Sequence, residues 1–289
     1  MCAPRFERTE QLGDDTSLSE WISTIQILPK SYKGAYPFKL ATTSFIYQDG
    51  YVPNVKMLGP YIDEIELLLF ESKPGSLLKK SEIDELSLLS KEFDLSYNIH
   101  LPIDISFGNS DPVVRQHAVE TILHVLDLAS PLFPLTCTLH LSYGEASREK
   151  EKVIKWHELT YETIKQLINF GVKAEEISIE NLNYPFEWVE DIVRVFNFGV
   201  CMDIGHLIVC GTNIKKFFDS YSDNISIIHL HGVENGHDHI SLKRLSEERV
   251  GQIMEILKKF TKVVSIEVFS YDALATSLEF LEKCWKKVS

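Results

Sequence analysis

Six ionisable residues stand at matching places in six short apolar runs. They are His100 in LSYNIHL, His140 in TCTLHLS, Glu180 in EISIENL, Asp203 in FGVCMDI, His229 in ISIIHLH and Glu267 in VVSIEVF. Each lies near the C-terminal end of its run. Three carboxylates and three imidazoles drawn into one cavity would each pay several kcal/mol of desolvation, on the order of the cost of any buried charge. A divalent cation removes that cost, and carboxylate oxygen with imidazole nitrogen suits Zn2+, Mn2+ or Fe2+. None of the six is a cysteine, which argues against a structural zinc site of the cysteine type. A second concentration follows in IIHLHGVENGHDHISL, where His229, His231, His237 and His239 are four of the chain's ten histidines.

These residues converge only if the runs are strands of one sheet. Side chains alternate along a strand. In VVSIEVF, Val264, Ile266 and Val268 share one face, and Ser265 and Glu267 share the other. The same division sets Val200 and Met202 against Cys201 and Asp203, and Ile177 and Ile179 against Ser178 and Glu180. One face is apolar and suited to packing on helices. The other is small or polar and ends in the ionisable residue.

Eight such runs are expected as strands, at 38–44, 62–70, 95–101, 136–142, 176–182, 198–204, 225–231 and 263–269. Helical spacing of apolar residues marks 79–93, 112–129, 152–171, 213–221, 247–260 and 272–287, with Gly171 a candidate C-cap. Alternating strands and helices of this number predict an α/β fold, a (β/α)8 TIM barrel over residues 37–289, which would gather the six residues at its C-terminal mouth. A doubly wound open sheet is the competing architecture, and no GxGxxG follows the first strand to support its dinucleotide-binding form. Residues 1–36 form an N-terminal extension. SLSEWISTIQIL is expected there as an extra helix, capped by Thr16 or Ser17, covering the barrel floor.

The 289 residues are 44% hydrophobic with a net charge of −13, enough apolar material for a large core and the wrong sign for gripping nucleic acid or an anionic membrane. No run of about 18 apolar residues is present, so no membrane span is expected. MCAPRFERTEQLGDD lacks the apolar core of a signal peptide, and the five cysteines form no CxxC, which together predict a reduced, cytoplasmic protein. Neither a GxSxG elbow nor a P-loop occurs. Nothing in the sequence sets the oligomeric state.

DIGH (203–206), IEN (179–181), IHLHG (228–232) and IEVF (266–269) together resemble the xylose-isomerase-like barrels, which include sugar isomerases and epimerases and the zinc apurinic endonucleases. The resemblance implies a ligand set of Glu180, Asp203, His229 and Glu267. It further implies a first metal on His100 and His140, with Glu180 bridging, and a third on His206 with the HDH stretch. The endonuclease pattern there is Asp-x-His, so His237 replaces the aspartate if His239 is retained, while Asp238 could bind directly.

HLPIDI, ENLNYPFE and HLHGVENGHDH resemble more narrowly the cobamide-remodelling phosphodiesterases of the CbiR type. That resemblance implies two or three divalent ions, zinc foremost, with a cobamide substrate cleaved at its nucleotide-loop phosphodiester. Glu180 or Glu267 would accept a proton, and His206 would help place the third ion. A corrinoid would need a broad mouth. Phe45, Tyr47, Tyr184, Phe186 and Trp188 lie just past strand ends and could line it or could simply pack loops. His231 continues the face of His229 by one step and would serve either substrate or metal. Glu64 and Glu66 are ambiguous.

Overall fold

The computed structural model describes residues 26–288. The proposed helix within residues 16–28 falls almost wholly outside them. Eight parallel strands close on themselves: β1 (Lys39–Thr43), β2 (Glu64–Leu68), β3 (Ser96–His100), β4 (Cys137–Leu139), β5 (Ile177–Glu180), β6 (Gly199–Asp203), β7 (Ile225–Leu230) and, after a small hairpin β8 (Gly232–Glu234) and β9 (His237–Ile240), β10 (Val263–Ile266). The barrel order is β1-β10-β7-β6-β5-β4-β3-β2. Pairing of β1 with both β2 and β10 seals the sheet and rules out the open, doubly wound arrangement.

Around it run α1 (Tyr51–Leu58), α2 (Lys80–Phe93), α3 (Pro112–Ala129), α4 (Lys150–Asn169), α5 (Glu190–Phe196), α6 (Ile204–Val209), α7 (Ile214–Tyr221), α8 (Glu247–Leu257) and α9 (Tyr271–Val288). Their ends follow local chemistry. Asp111 accepts the Val113 amide at 2.8 Å to start α3, with Pro112 occupying the first turn, where no amide is needed. The left-handed Gly171, at φ 93°, turns the chain away after α4.

The apolar strand faces pack outward on these helices. Leu40, Ile65, Tyr97, Ile99, Leu139, Ile179, Val200, Met202, Ile228 and Val264 are all buried there. Inside the barrel a separate apolar plug of Ala41, Cys201, Ile227 and Val263 closes the lower end. The remaining interior is polar, and Glu64, Glu66, Asn98, Thr138, Ser178 and Ser265 are all fully buried. The described chain begins on the mouth side. The Tyr47 and Tyr271 hydroxyls, both beyond strand C-terminal ends, donate to the Gln26 and Ile27 carbonyls at 2.7 and 2.8 Å. From there it runs down to β1 at the floor.

Candidate metal centre

Strand alternation delivers the six expected residues to one place. His100, Glu180, Asp203 and His229 close their strands or sit one position before the end. His140 and Glu267 stand one residue past β4 and β10. Glu180 is the hub. Its Oε2 lies 3.3 Å from His100 Nε2, 2.8 Å from His140 Nε2 and 3.7 Å from His229 Nδ1, and its Oε1 lies 3.3 Å from His206 Nδ1. Burial alone would raise its pKa, but His140 and His229 hold it well below the usual carboxylate range. Asp203 and Glu267 are likewise lowered, burial being outweighed by His206 and His231 in one case and by His229 and His239 in the other.

Local backbone explains how β5 and β6 hold their carboxylates. The strand ladder ends with the Asn181 amide on the Cys201 carbonyl at 3.3 Å, and the Asn181 side chain takes over. Its amide donates to the Asp203 carbonyl at 2.9 Å and accepts the Asp203 amide at 2.8 Å. Asp203 then caps α6 by accepting the His206 amide at 2.6 Å. This short helix places His206 over the cavity, its Nδ1 within 3.2 Å of the Asn181 carbonyl.

Among the described residues, four donor groups are tight enough to hold a metal ion: His100, His140 and Glu180; Glu180, Asp203, His229 and Glu267; His206, His231 and His239; and Glu180, Cys201 and His229. The last is the weakest, because burial raises the Cys201 thiol well above its ordinary pKa and leaves it protonated. For the inner groups the fit to an ion is direct. His229 Nδ1 and Glu267 Oε2 are buried, lack hydrogen-bond partners and lie 3.1 Å apart. Donors about 2.0–2.1 Å from a tetrahedral zinc would stand about 3.3 Å from one another. Two polar atoms left unpaired in a dry cavity at that spacing are what a cation would satisfy.

The outer group is assembled differently. Asn235 and Gly236 both have positive φ, 53° and 80°, the two-residue turn that joins β8 to β9. His239 follows in the left-handed region at φ 51°. That unusual backbone points its amide at His231 Nδ1, 2.9 Å away. His231 Nδ1 therefore accepts, its Nε2 carries the proton, and that proton goes to Asp203 at 3.2 Å. Both nitrogens of His231 are thus occupied, so we read it as the strut that ties the hairpin to Asp203. The free nitrogens are Nε2 of His206 and Nε2 of His239, whose Nδ1 atoms face the Asn181 and Glu267 carbonyls.

Other expected site residues fall elsewhere. His237 is exposed on the hairpin and outside every donor group, and Asp238 is half-buried beside it, also outside them. Simple alternation would put His237 and His239 on one face; the left-handed backbone at His239 breaks it, and His239 alone of this stretch joins a donor group. Tyr184 and Phe186 are buried. The Tyr184 hydroxyl donates to the Leu141 carbonyl and its ring stacks on Trp188, while Phe186 packs against Phe217 and Tyr221. Phe45 meets Tyr51 edge-on, and Tyr47 lies against Tyr271.

Two aromatics outside the expected set do border the donors: Phe70, edge-on to His100 at 4.8 Å, and Phe269, 5.1 Å from His239. Strand parity could have found them, since they continue the interior faces of Glu66 and Glu267. Glu66 is the other unforeseen member. Its Oε1 accepts His229 Nε2–H at 2.9 Å, and its Oε2 accepts the Ser265 hydroxyl at 2.9 Å.

A closed parallel barrel carrying histidine and carboxylate donors at its C-terminal mouth defines a class of barrel with a candidate metal centre. Residues 55–284 match the family described as xylose isomerase-like TIM barrel, and the chain belongs to that family. Among solved structures it is similar to a D-tagatose 3-epimerase-like protein, with a TM-score of 0.73 and 21% identity over 86% of this chain and 98% of that one. It is similar also to endonuclease IV from Thermus thermophilus, with a TM-score of 0.65 and 16% identity over 86% and 99% of the two chains. The IOLI protein with a bound zinc atom gives a TM-score of 0.65 and 18% identity over 86% and 98%. At these identities the likeness is one of fold. No curated protein sequence matches the chain. Among the described residues, no helix is long and apolar enough to cross a membrane.

Proposed function

We propose that this chain is a divalent-metal-dependent phosphodiesterase that hydrolyses the nucleotide-loop phosphodiester of a cobamide to cobinamide phosphate and an α-riboside of the lower base. The supporting observation is the surplus of donors. The four-residue group of Glu180, Asp203, His229 and Glu267 suffices for one ion, yet His100 and His140 are built against the far side of Glu180, and His206 and His239 against the rim. The cobamide itself rests on the resemblance of HLPIDI, ENLNYPFE and HLHGVENGHDH.

Two or three ions, Zn2+ first and Mn2+ or Fe2+ as alternatives, would be held by these residues. When bound they supply charge stabilisation at the phosphoryl oxygens and a water of lowered pKa. The protein's own part is positioning. Glu180 holds four histidines in one arrangement and is committed to them. Glu267 would face an ion through Oε2, unpaired beside His229 Nδ1, so a proton from an attacking water would pass to the other oxygen of that carboxylate. Phe70 and Phe269 wall the donors on two sides and exclude bulk water there. Phe45 and Tyr47, half-buried at the mouth, remain the aromatic surface offered to a flat corrinoid.

The test is incubation of metal-loaded protein with adenosyl- and cyano-cobamides, followed by mass analysis. Cobinamide phosphate from the wild type but not from E180Q is the expected result, and unchanged substrate overturns the reading. A sugar 3-epimerase is the second reading. It is favoured by the fold likeness to the D-tagatose 3-epimerase-like protein and by the self-sufficient four-donor group. One ion per chain, with turnover of a ketose, would select it. A duplex-DNA endonuclease is disfavoured by the net charge of −13.

A further inference from the structure

Glu66 is a fully buried carboxylate on β2, and the proposed chemistry gives it no task. Among the described residues no lysine or arginine forms an ion pair with it; its charged partner is His229. We propose that Glu66 is a positioning residue that selects which nitrogen of His229 faces the metal cluster. The inference rests on the metal reading and is independent of the substrate.

A carboxylate can only accept, so the proton of the neutral His229 ring sits on Nε2, donated to Glu66 Oε1 at 2.9 Å. The lone pair is then at Nδ1, the atom that lacks a hydrogen bond and lies 3.1 Å from Glu267 Oε2 and 3.7 Å from Glu180 Oε2. With the opposite tautomer, a proton would point into the donor cluster and a cation could not share it.

The other cavity histidines are set differently. Nδ1 of His100, His206 and His239 faces the carbonyl of Leu101, Asn181 and Glu267 respectively, which leaves Nε2 for the cluster. Those carbonyls come from strand ends and loops, where the ladder leaves them free. His229 lies inside β7, paired with Asp203 on one side and Ser265 on the other, and its surroundings are ladder backbone. Its acceptor must therefore be a side chain. Three strand positions around the barrel, β2 supplies it, and Ser265 on the intervening β10 holds the second oxygen of Glu66 at 2.9 Å so that the first stays aimed. Such a carboxylate behind a ligating imidazole also makes the ring a stronger donor.

The experiment is equilibrium binding of Zn2+ to the full chain by competition with a chromophoric chelator. It is read beside the 15N shifts of the histidine rings in the zinc-loaded protein. In wild type, His229 should show a protonated Nε2 and an ion at Nδ1. E66Q, whose amide can donate to Nε2 as well as accept, should weaken one ion by about 10- to 100-fold and mix the His229 tautomers. S265A should weaken the same ion by a smaller factor and keeps the test open if E66Q fails to fold. A merely structural Glu66 would lower thermal stability while leaving ion affinity within threefold and the His229 signals unchanged in both variants, and that result overturns the proposal. Wild-type protein that binds no zinc overturns the metal reading itself.

Discussion

The inner and outer halves of this cavity meet at β7, where one residue separates His229 from His231, yet they are built on different principles. His229 and His231 are both fully buried and both face inward. His229 is fixed by side chains of a closed sheet, Glu66 behind it and Glu180 and Glu267 before it. His231 is fixed by a hairpin amide on one nitrogen and by Asp203 on the other. The inner cluster therefore inherits the rigidity of eight strands, whereas the outer one depends on how a two-strand hairpin docks. Proximity along the chain does not decide role. Which groups have already taken each ring nitrogen does.

The sharpest way to break the inner half is E180Q. Glu180 is the one carboxylate whose oxygens approach His100, His140, His206 and His229. Losing several kcal/mol of ion binding and transition-state stabilisation predicts a fall of about 10²- to 10⁴-fold in turnover. Metal content measured on the purified variant should drop by more than one ion per chain. A loss of only one would mean that the inner half is two independent sites.

H239A attacks the outer half alone. The inner donors keep their contacts with one another and only Glu267 loses the His239 ring, so one ion should be lost and about 10-fold or more in turnover with it. G205A acts on the same half from below. A Cβ on Gly205 would meet the His231 ring at 1.9 Å, so the glycine in DIGH exists to let that ring lie against α6. Overpacking of this kind costs about 1–3 kcal/mol. Thermal denaturation should show that cost, with the outer ion weakened and the inner ions held.

Protons compete with ions in both halves, and His206 shows the sign. Burial opposes charge on His206, but Asp203 and Glu180 outweigh it and push the ring up to about 11 from 6.5. A raised pKa stabilises the metal-free fold fully below 6.5 and loses that contribution as pH climbs toward about 11. An ion needs the neutral ring, so its affinity grows over the same interval. The thermal shift produced by added metal should therefore widen between about pH 6.5 and about pH 9. In H206A part of that widening should vanish, and the rest belongs to His229 and His100 of the inner half, whose rings the surrounding carboxylates also raise against burial.

The inner half is legible in the sequence and the outer half only in part, for a physical reason. Period-two alternation fixes which strand residues point inward. Eight strands therefore fall within a few residues of their expected places, and His100, His140, Glu180, Asp203, His229 and Glu267 come together. The same parity turns Glu66 inward but does not give its task, because its partner His229 lies 163 residues away and only barrel closure joins them. The short helices α5 and α6, of 7 and 6 residues, span too few turns to show an apolar period. The hairpin does have a sequence signal, Asn235-Gly236 between Val233 and Ile240, but the polar residues around it read equally as a loop. With a loop there, parity cannot be assigned across His237, Asp238 and His239.

That last ambiguity makes the mildest substitution the most discriminating. The family pattern suggests His237 as a ligand in the place of an aspartate. The structure turns its side chain to solvent and sends His239, two residues on, into the cavity through a left-handed backbone. An exposed side chain outside every donor group should be replaceable at almost no cost, within about 0.5 kcal/mol of stability. H237A is therefore expected to keep its full metal content and to lose less than about twofold in turnover. If one ion per chain disappeared instead, the hairpin would have to rotate when metal binds. The outer half would then be a site assembled on binding, in contrast to an inner half already in place.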